Sequence, residues 1–158
     1  MNKDEITSLI RELIEKTTVP AGEIQVTEET GERGKKTVWF SAEVSDPYHF
    51  SARGGEGLFA LNHVVRRIVE TRSPESTEEI LVDINGLQKK RVENVRAVAH
   101  MMAERARYFK SNIEVDPMPA FERRIVHEFL SDAADLKTES EGTGPSRRVV
   151  IKYIGELR

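Results

Sequence analysis

The apolar residues of this chain change their period several times along its length, and that switching restricts the fold more than any other feature. Ile6, Leu9, Ile10, Leu13 and Ile14 recur at i, i+3, i+4, i+7 and i+8, the stripe of an amphipathic helix that should stop near Val19-Pro20. Ile24 and Val26, and then Val38, Phe40, Ala42 and Val44, alternate instead, with Trp39, Ser41 and Glu43 on the opposite face. The polar, glycine-punctuated stretch 29–34 between them reads as the turn of a β-hairpin. Helical spacing returns at Leu58, Leu61, Val64, Val65, Ile68 and Val69, behind the glycine cluster 52–57. Ser73-Pro74 closes that helix, and Ile80, Val82 and Ile84 alternate again before Asn85-Gly86. Helices and strands interleaved in the order helix, strand, strand, helix, strand predict an α+β fold.

Beyond Asn85-Gly86 the pattern predicts the longest helix, residues 87–111, with Val95, Val98, Ala99, Met102, Ala106 and Phe109 on one face. Lys89, Lys90 and Arg91 read as its solvated start. A short strand at 113–115 precedes the break Asp116-Pro117-Met118-Pro119, and a helix follows with Phe121, Ile125, Val126 and Leu130. Strands at 136–139 and 147–154 flank the loop 142–146. Two domains are expected, 1–86 and 87–158, with the long helix joining the lobes.

Composition excludes several classes of function. The 158 residues include no cysteine, so neither a disulfide framework nor thiolate metal ligation is available, and a cytoplasmic setting is the simplest expectation. The N-terminus Met1-Asn2-Lys3-Asp4-Glu5 lacks the basic and apolar regions of a signal peptide, and no apolar run approaches the roughly 20 residues of a membrane span. His49, His63 and His100 lack ligand spacing, so neither a metal nor a cofactor is expected. No nucleophile elbow, Walker loop or paired catalytic carboxylate is legible, and the chain reads as a binding protein, not an enzyme. Trp39 and Tyr48 read as packing aromatics.

The net charge of −3 averages two unlike halves. Residues 1–86 carry 10 basic and 16 acidic side chains, a net of −6, whereas residues 87–158 carry 14 and 11, a net of +3. Only the second half suits a polyanion, and only through a few positioned cations. It also holds Arg123 and His127, four residues apart on a predicted helix and therefore on one face. A guanidinium fork and an imidazole pointing the same way suit a phosphate. Twenty residues on, the loop delivers Arg147 and Arg148 to opposite pleat faces, so only one of them can join that pair. Arg124 points about 100° away and reads as a buttress.

Met118, Phe121-Glu122-Arg123-Arg124, His127, Thr138-Glu139-Ser140-Glu141-Gly142 and Arg147-Arg148-Val149-Val150-Ile151 fall in one order over about 40 residues. This stretch resembles the Arg-xxx-His (R-3-H) domain, in the version found in the bacterial Jag/KhpB family. The resemblance implies binding of single-stranded nucleic acid, most simply RNA, through Arg123, His127 and Arg147. It extends upstream to a type II KH domain, in the order helix, strand, strand, helix, helix, strand, so that a KH-II-like lobe would be joined by the long helix to a small α/β Arg-xxx-His lobe. The GxxG loop of that domain, which clamps backbone nucleotides, aligns with Ala52-Arg53-Gly54-Gly55, making Arg53, Gly54 and Gly55 candidate contacts. A shifted frame, Gly54-Gly55-Glu56-Gly57, restores both glycines but inserts an acid.

The resemblance also implies post-transcriptional regulation and a protein partner, either a small KH-domain protein or a second copy of the chain. An alternative gives the KH lobe to protein contact alone, as an assembly adaptor, and a third directs the protein to single-stranded DNA. Three cations on phosphates would give a log–log salt slope near −2, from roughly −0.7 per neutralised phosphate. If His127 is one of them, affinity should weaken between pH 6 and 8.

Overall fold

The computed structural model describes residues 1–31 and 34–155, and the chain divides into two compact units, Met1–Lys89 and Lys90–Arg158. The described residues form four α-helices, one short 3-10 helix and two three-stranded sheets, an α+β fold.

In the first unit α1 (Lys3–Glu15) opens on a capping box, in which the Asn2 side chain accepts from the Glu5 N–H and Glu5 accepts from the Asn2 N–H. β1 (Ala21–Thr30) and β2 (Lys36–Val44) pair antiparallel, with Thr30 opposite Lys36. The hairpin tip at Glu32 and Arg33 lies outside the described residues. β3 (Glu79–Ile84) runs parallel to β2, giving the order β1-β2-β3. The sheet face bearing Val38, Phe40, Ala42, Val82 and Ile84 is sealed by Ile10 and Ile14 of α1 and by Leu58, Leu61 and Val65 of α2 (Tyr48–Arg72). β1 is nearly all exposed, Val26 included, and its Glu23, Glu28 and Glu29 make this edge a poor template for stray strand pairing.

Two asparagines fix the sheet to its surroundings. Asn62 on α2 accepts from the Val82 N–H (2.8 Å) and donates to the Val82 carbonyl (2.9 Å), while Asn85 makes the same exchange with Val44 at 2.8 and 2.9 Å. Asn62→Ala would strand main-chain polar groups that this side chain satisfies, and a loss of about 2 kcal/mol is expected in urea unfolding.

Trp39 packs as expected. It is buried, its Nε1 donates to Glu29, and the Lys89 ammonium lies 5.4 Å from the ring centroid. Lys89 is therefore no solvated residue, and neither is Arg91, whose guanidinium meets Glu122 at 3.4 Å. Tyr48 departs from the expectation: it is 66% exposed, while Phe50 in the same helical turn enters the core.

α3 (Leu87–Phe109) starts where the buried Asp83 carboxylate accepts the Gln88 N–H, an anion placed at a helix N-terminus. In the second unit β4 (Ile113–Glu114) and β5 (Leu136–Glu141) flank β6 (Arg148–Tyr153), both antiparallel to it. α4 (Ala120–Phe129) packs on β5 and β6 and buries Ile125 and Val126. Arg107, near the end of α3, grips Asp135 with two hydrogen bonds (2.7 and 3.0 Å), which hold that carboxyl below its usual range. The buried apolar positions of α3 are Val92, Val95, Ala99, Ala103 and Ala106; Phe109, expected among them, is 61% exposed because the helix ends there and the chain turns away at Lys110.

Candidate nucleic-acid interface

The Arg123–His127 face is built from the segment before α4. Pro117 and Pro119 restrict the backbone on either side of Met118, and Pro119 occupies the N-cap position in extended conformation. Met118 then serves two partners: its N–H donates to the Arg147 carbonyl (3.2 Å) and its own carbonyl accepts from Arg123 Nε (3.2 Å). One rigid residue therefore ties together two arginines that stand 24 positions apart in the sequence. The Arg147 guanidinium is steadied in turn by the Gly142 carbonyl at 2.8 Å. Among the described residues no carboxylate lies within ion-pair distance of Arg123 or Arg147, leaving donors of both for a ligand.

His127 is half-buried one turn after Arg123. Its Nδ1 lies 2.7 Å from Thr138 Oγ1 and its Nε2 2.9 Å from Ser140 Oγ. Thr138 and Ser140 are two apart on β5 and so share the face beneath α4. A neutral imidazole donates through one nitrogen and accepts through the other, and either hydroxyl can serve either role. Burial, and then the positive charge of Arg123, push the imidazole pKa below its ordinary value. In the ligand-free protein both effects favour the uncharged imidazole, a positioned hydrogen-bonding group, over the imidazolium expected on a phosphate.

Because the folded pKa is the lower one, the unfolded chain binds the proton more readily. His127 therefore contributes stability that is complete above about pH 6.5 and is lost as pH falls through the folded pKa. Binding should stay flat between pH 7 and 8, and wild type should lose more stability from pH 7 to 5 than His127→Gln does, as read by urea unfolding at each pH.

Arg148 and Arg124 fall outside the site. Arg148 faces the other side of β6 and reaches Glu114 at 3.2 Å. Arg124 lies 5.5 Å from the Phe121 ring centroid and 3.9 Å from Glu128, the buttress expected of it. Lys152 and Lys137 are held by Glu139 and Glu141.

In the first unit Arg53, Gly54 and Gly55 follow one another at φ +53°, +69° and +87°, interrupting α2 between a first turn and the main helix. This identifies the loop as residues 52–55. Gly57 lies past it, and a Cβ there would stand 1.9 Å from the His49 carbonyl oxygen, so this glycine serves close packing. Gly54 faces open space while Gly55 is buried, and Arg53 is exposed. Arg53, Gly54 and Gly55 belong to the first unit and Arg123, His127 and Arg147 to the second.

Met118 opens the motif in the sequence, but its bridging role and the pairing of the two hydroxyls with His127 become visible only in the fold. Thr138 and Ser140 stood in a recognised block, and their i, i+2 spacing was the available signal; the partner across the α4–β5 interface was not encoded locally.

An arginine and a histidine one helical turn apart, seated on a small antiparallel sheet, define a domain class, and residues 93–153 match it: the R-3-H domain. Over a longer stretch the chain is similar to proteins named RNA-binding protein KhpB. It is 30% identical to that of Bacillus subtilis (strain 168) over 126 residues, covering 78% of this chain and 60% of the relative. It is 28% identical to that of Clostridium symbiosum over 104 residues, 66% and 46% of the two chains. With that of Streptococcus pneumoniae serotype 2 (strain D39 / NCTC 7466) identity is 24% over 117 residues, 74% and 35%. The chain thus spans 60% or less of the length of these relatives. The Bacillus match is longer than the whole second unit, so the similarity to Jag/KhpB proteins reaches into the first.

Proposed function

We propose that this chain binds single-stranded RNA through the face formed by Arg123, His127 and Arg147, and acts in post-transcriptional regulation in the cytoplasm. The observation that carries the reading is the Met118 bridge, which holds two arginines, neither with a carboxylate partner among the described residues, beside an imidazole seated on two hydroxyls. Phosphates would sit on the two guanidinium forks, with the imidazole and its hydroxyls donating to phosphate or sugar oxygens. The relatives' name, RNA-binding protein KhpB, supports the choice of RNA. The work done is binding and not turnover.

The first unit is read as a KH-like domain, 1–86. Its order of helix, strand, strand, short turn, helix, strand and its run of left-handed residues at 53–55 support that reading. A second reading for this unit, a protein-contact adaptor for a small KH-domain protein or a second copy, is favoured by the net charge of −6 over residues 1–86. Ala52, in place of the first loop glycine, favours it further.

With His127 neutral, two cations contact phosphates, and the expected salt slope on a four-nucleotide RNA falls from the earlier −2 to about −1.4. Fluorescence anisotropy on such an RNA, on the same sequence as DNA and on a duplex, between 20 and 200 mM salt, tests this. Binding to the single strand with that slope, and weaker binding to the duplex, is expected. No binding at low salt, or preference for the duplex, would contradict the proposal, and tighter binding to DNA would move it to the DNA reading.

A further inference from the structure

We infer that the C-terminal end of α3 is a second contact for the same single strand, with a base stacked on Tyr108 and neighbouring phosphates held by Arg105 and Lys110. The inference rests on the reading of the Arg123 face given above.

Tyr108 is 82% exposed and Phe109 61%, and the two rings meet edge to face at 5.0 Å and 89°. Phe109 thereby fixes the orientation of a tyrosine ring that otherwise stands in solvent. Around them the charges sort by availability. Arg107 is committed to Asp135 and Glu104, which also neutralises those acids. Arg105, one turn before Tyr108, makes a 4.0 Å contact to the Met102 sulfur. Lys110 is exposed, and among the described residues no carboxylate lies within ion-pair distance of either cation. Aromatic rings interleaved with available cations match the stacking-and-phosphate chemistry of single-strand binding. An acidic or purely apolar partner would leave one half of that patch unused.

The backbone supplies an independent sign. Ser111 N–H bonds to the Ala106 carbonyl (3.2 Å) and Lys110 N–H to that of Arg107 (3.3 Å), a Schellman ending to the helix. Its left-handed residue, usually glycine, is Lys110 at φ +49°. A charged side chain is thus kept at a position where the fold alone would favour none.

Asp135, gripped by Arg107, precedes the start of β5, and Gly142, which steadies Arg147, follows its end. Asp135 and Gly142 lie seven positions apart across β5, which separates the two contacts along the strand by about 23 Å, at roughly 3.3 Å per residue. Length dependence therefore separates the two ideas. With the full chain and fluorescent RNAs of four and twelve nucleotides, Tyr108→Ala should weaken the twelve-nucleotide complex about tenfold and leave the four-nucleotide one unchanged, whereas Tyr108→Trp should retain wild-type affinity. The wild-type salt slope should steepen from about −1.4 to about −2.8 with the longer RNA. Lys110→Gly should raise the melting temperature while weakening only the longer RNA. Wild-type affinity of Tyr108→Ala for the longer RNA, or equal losses on both lengths, would overturn the second contact. Undiminished binding of the short RNA by Arg123→Ala would instead overturn the reading of the Arg123 face.

Discussion

Gly57→Ala is expected to be the most destabilising single change in the first unit that adds only one carbon. The new Cβ would lie 1.9 Å from the His49 carbonyl oxygen, 2.9 Å from its carbon and 3.2 Å from the Phe50 Cα. All three are backbone atoms, so no side-chain rotation relieves the clash, and the turn that carries the buried Phe50 must move away from the main helix. We expect about 3 kcal/mol of lost stability, the upper range for overpacking, which for a unit of this size lowers its Tm by roughly 12 to 24 °C. Gly54→Ala is the contrast. Nothing lies within 4 Å of its Cβ, so the cost is the left-handed φ of +69° alone, about 1 kcal/mol. Differential scanning calorimetry of both variants decides between close packing at Gly57 and mere flexibility. Equal effects would contradict the placement of the loop at 52–55.

The second large effect concerns binding. Arg123→Ala removes a guanidinium that no carboxylate satisfies among the described residues, and His127→Ala removes the group seated on Thr138 and Ser140. At about 1.5–3 kcal/mol for a hydrogen bond to a charged group, the arginine alone is worth roughly ten- to hundredfold in affinity. The double variant should fall at least to the lower limit of detection on a four-nucleotide RNA. Stability should change by only about 1 kcal/mol, since both side chains are half-buried and each loses neutral or partly solvated partners. Arg123→Lys keeps the charge but loses the fork and its Nε bond to Met118, and should recover only part of the affinity. Circular dichroism alongside anisotropy distinguishes lost contacts from a lost fold.

What the sequence disclosed, and what it withheld, follows from the range of the interactions. The order of helices and strands was legible because each element carries its own period: Ile10 and Ile14 at helical spacing and Phe40 and Ala42 in alternation all enter the core. Arg123 and His127 could be paired because the helix that aligns them is local. The frame of the glycine cluster was not decided by sequence, since Gly54, Gly55 and Gly57 look alike until the left-handed backbone and the approach of His49 separate them. Nor was the charge state of His127, which depends on burial against β5 and on the charge of Arg123. Met118 is an ordinary residue by type; its importance lies in two main-chain bonds, one of them to Arg147 across the fold. Phe109 followed the apolar stripe of α3 and still lies in solvent, because a helical period continues in the sequence past the point where the helix stops packing.

The most direct test of the central claim is ultraviolet crosslinking in cells that carry the full-length protein, with the recovered nucleic acid sequenced from wild type and from Arg123→Ala. The account predicts RNA fragments on wild type and their loss on the variant at equal protein level. Recovery of no RNA from wild type, or of the same fragments in the same amount from Arg123→Ala, would contradict it.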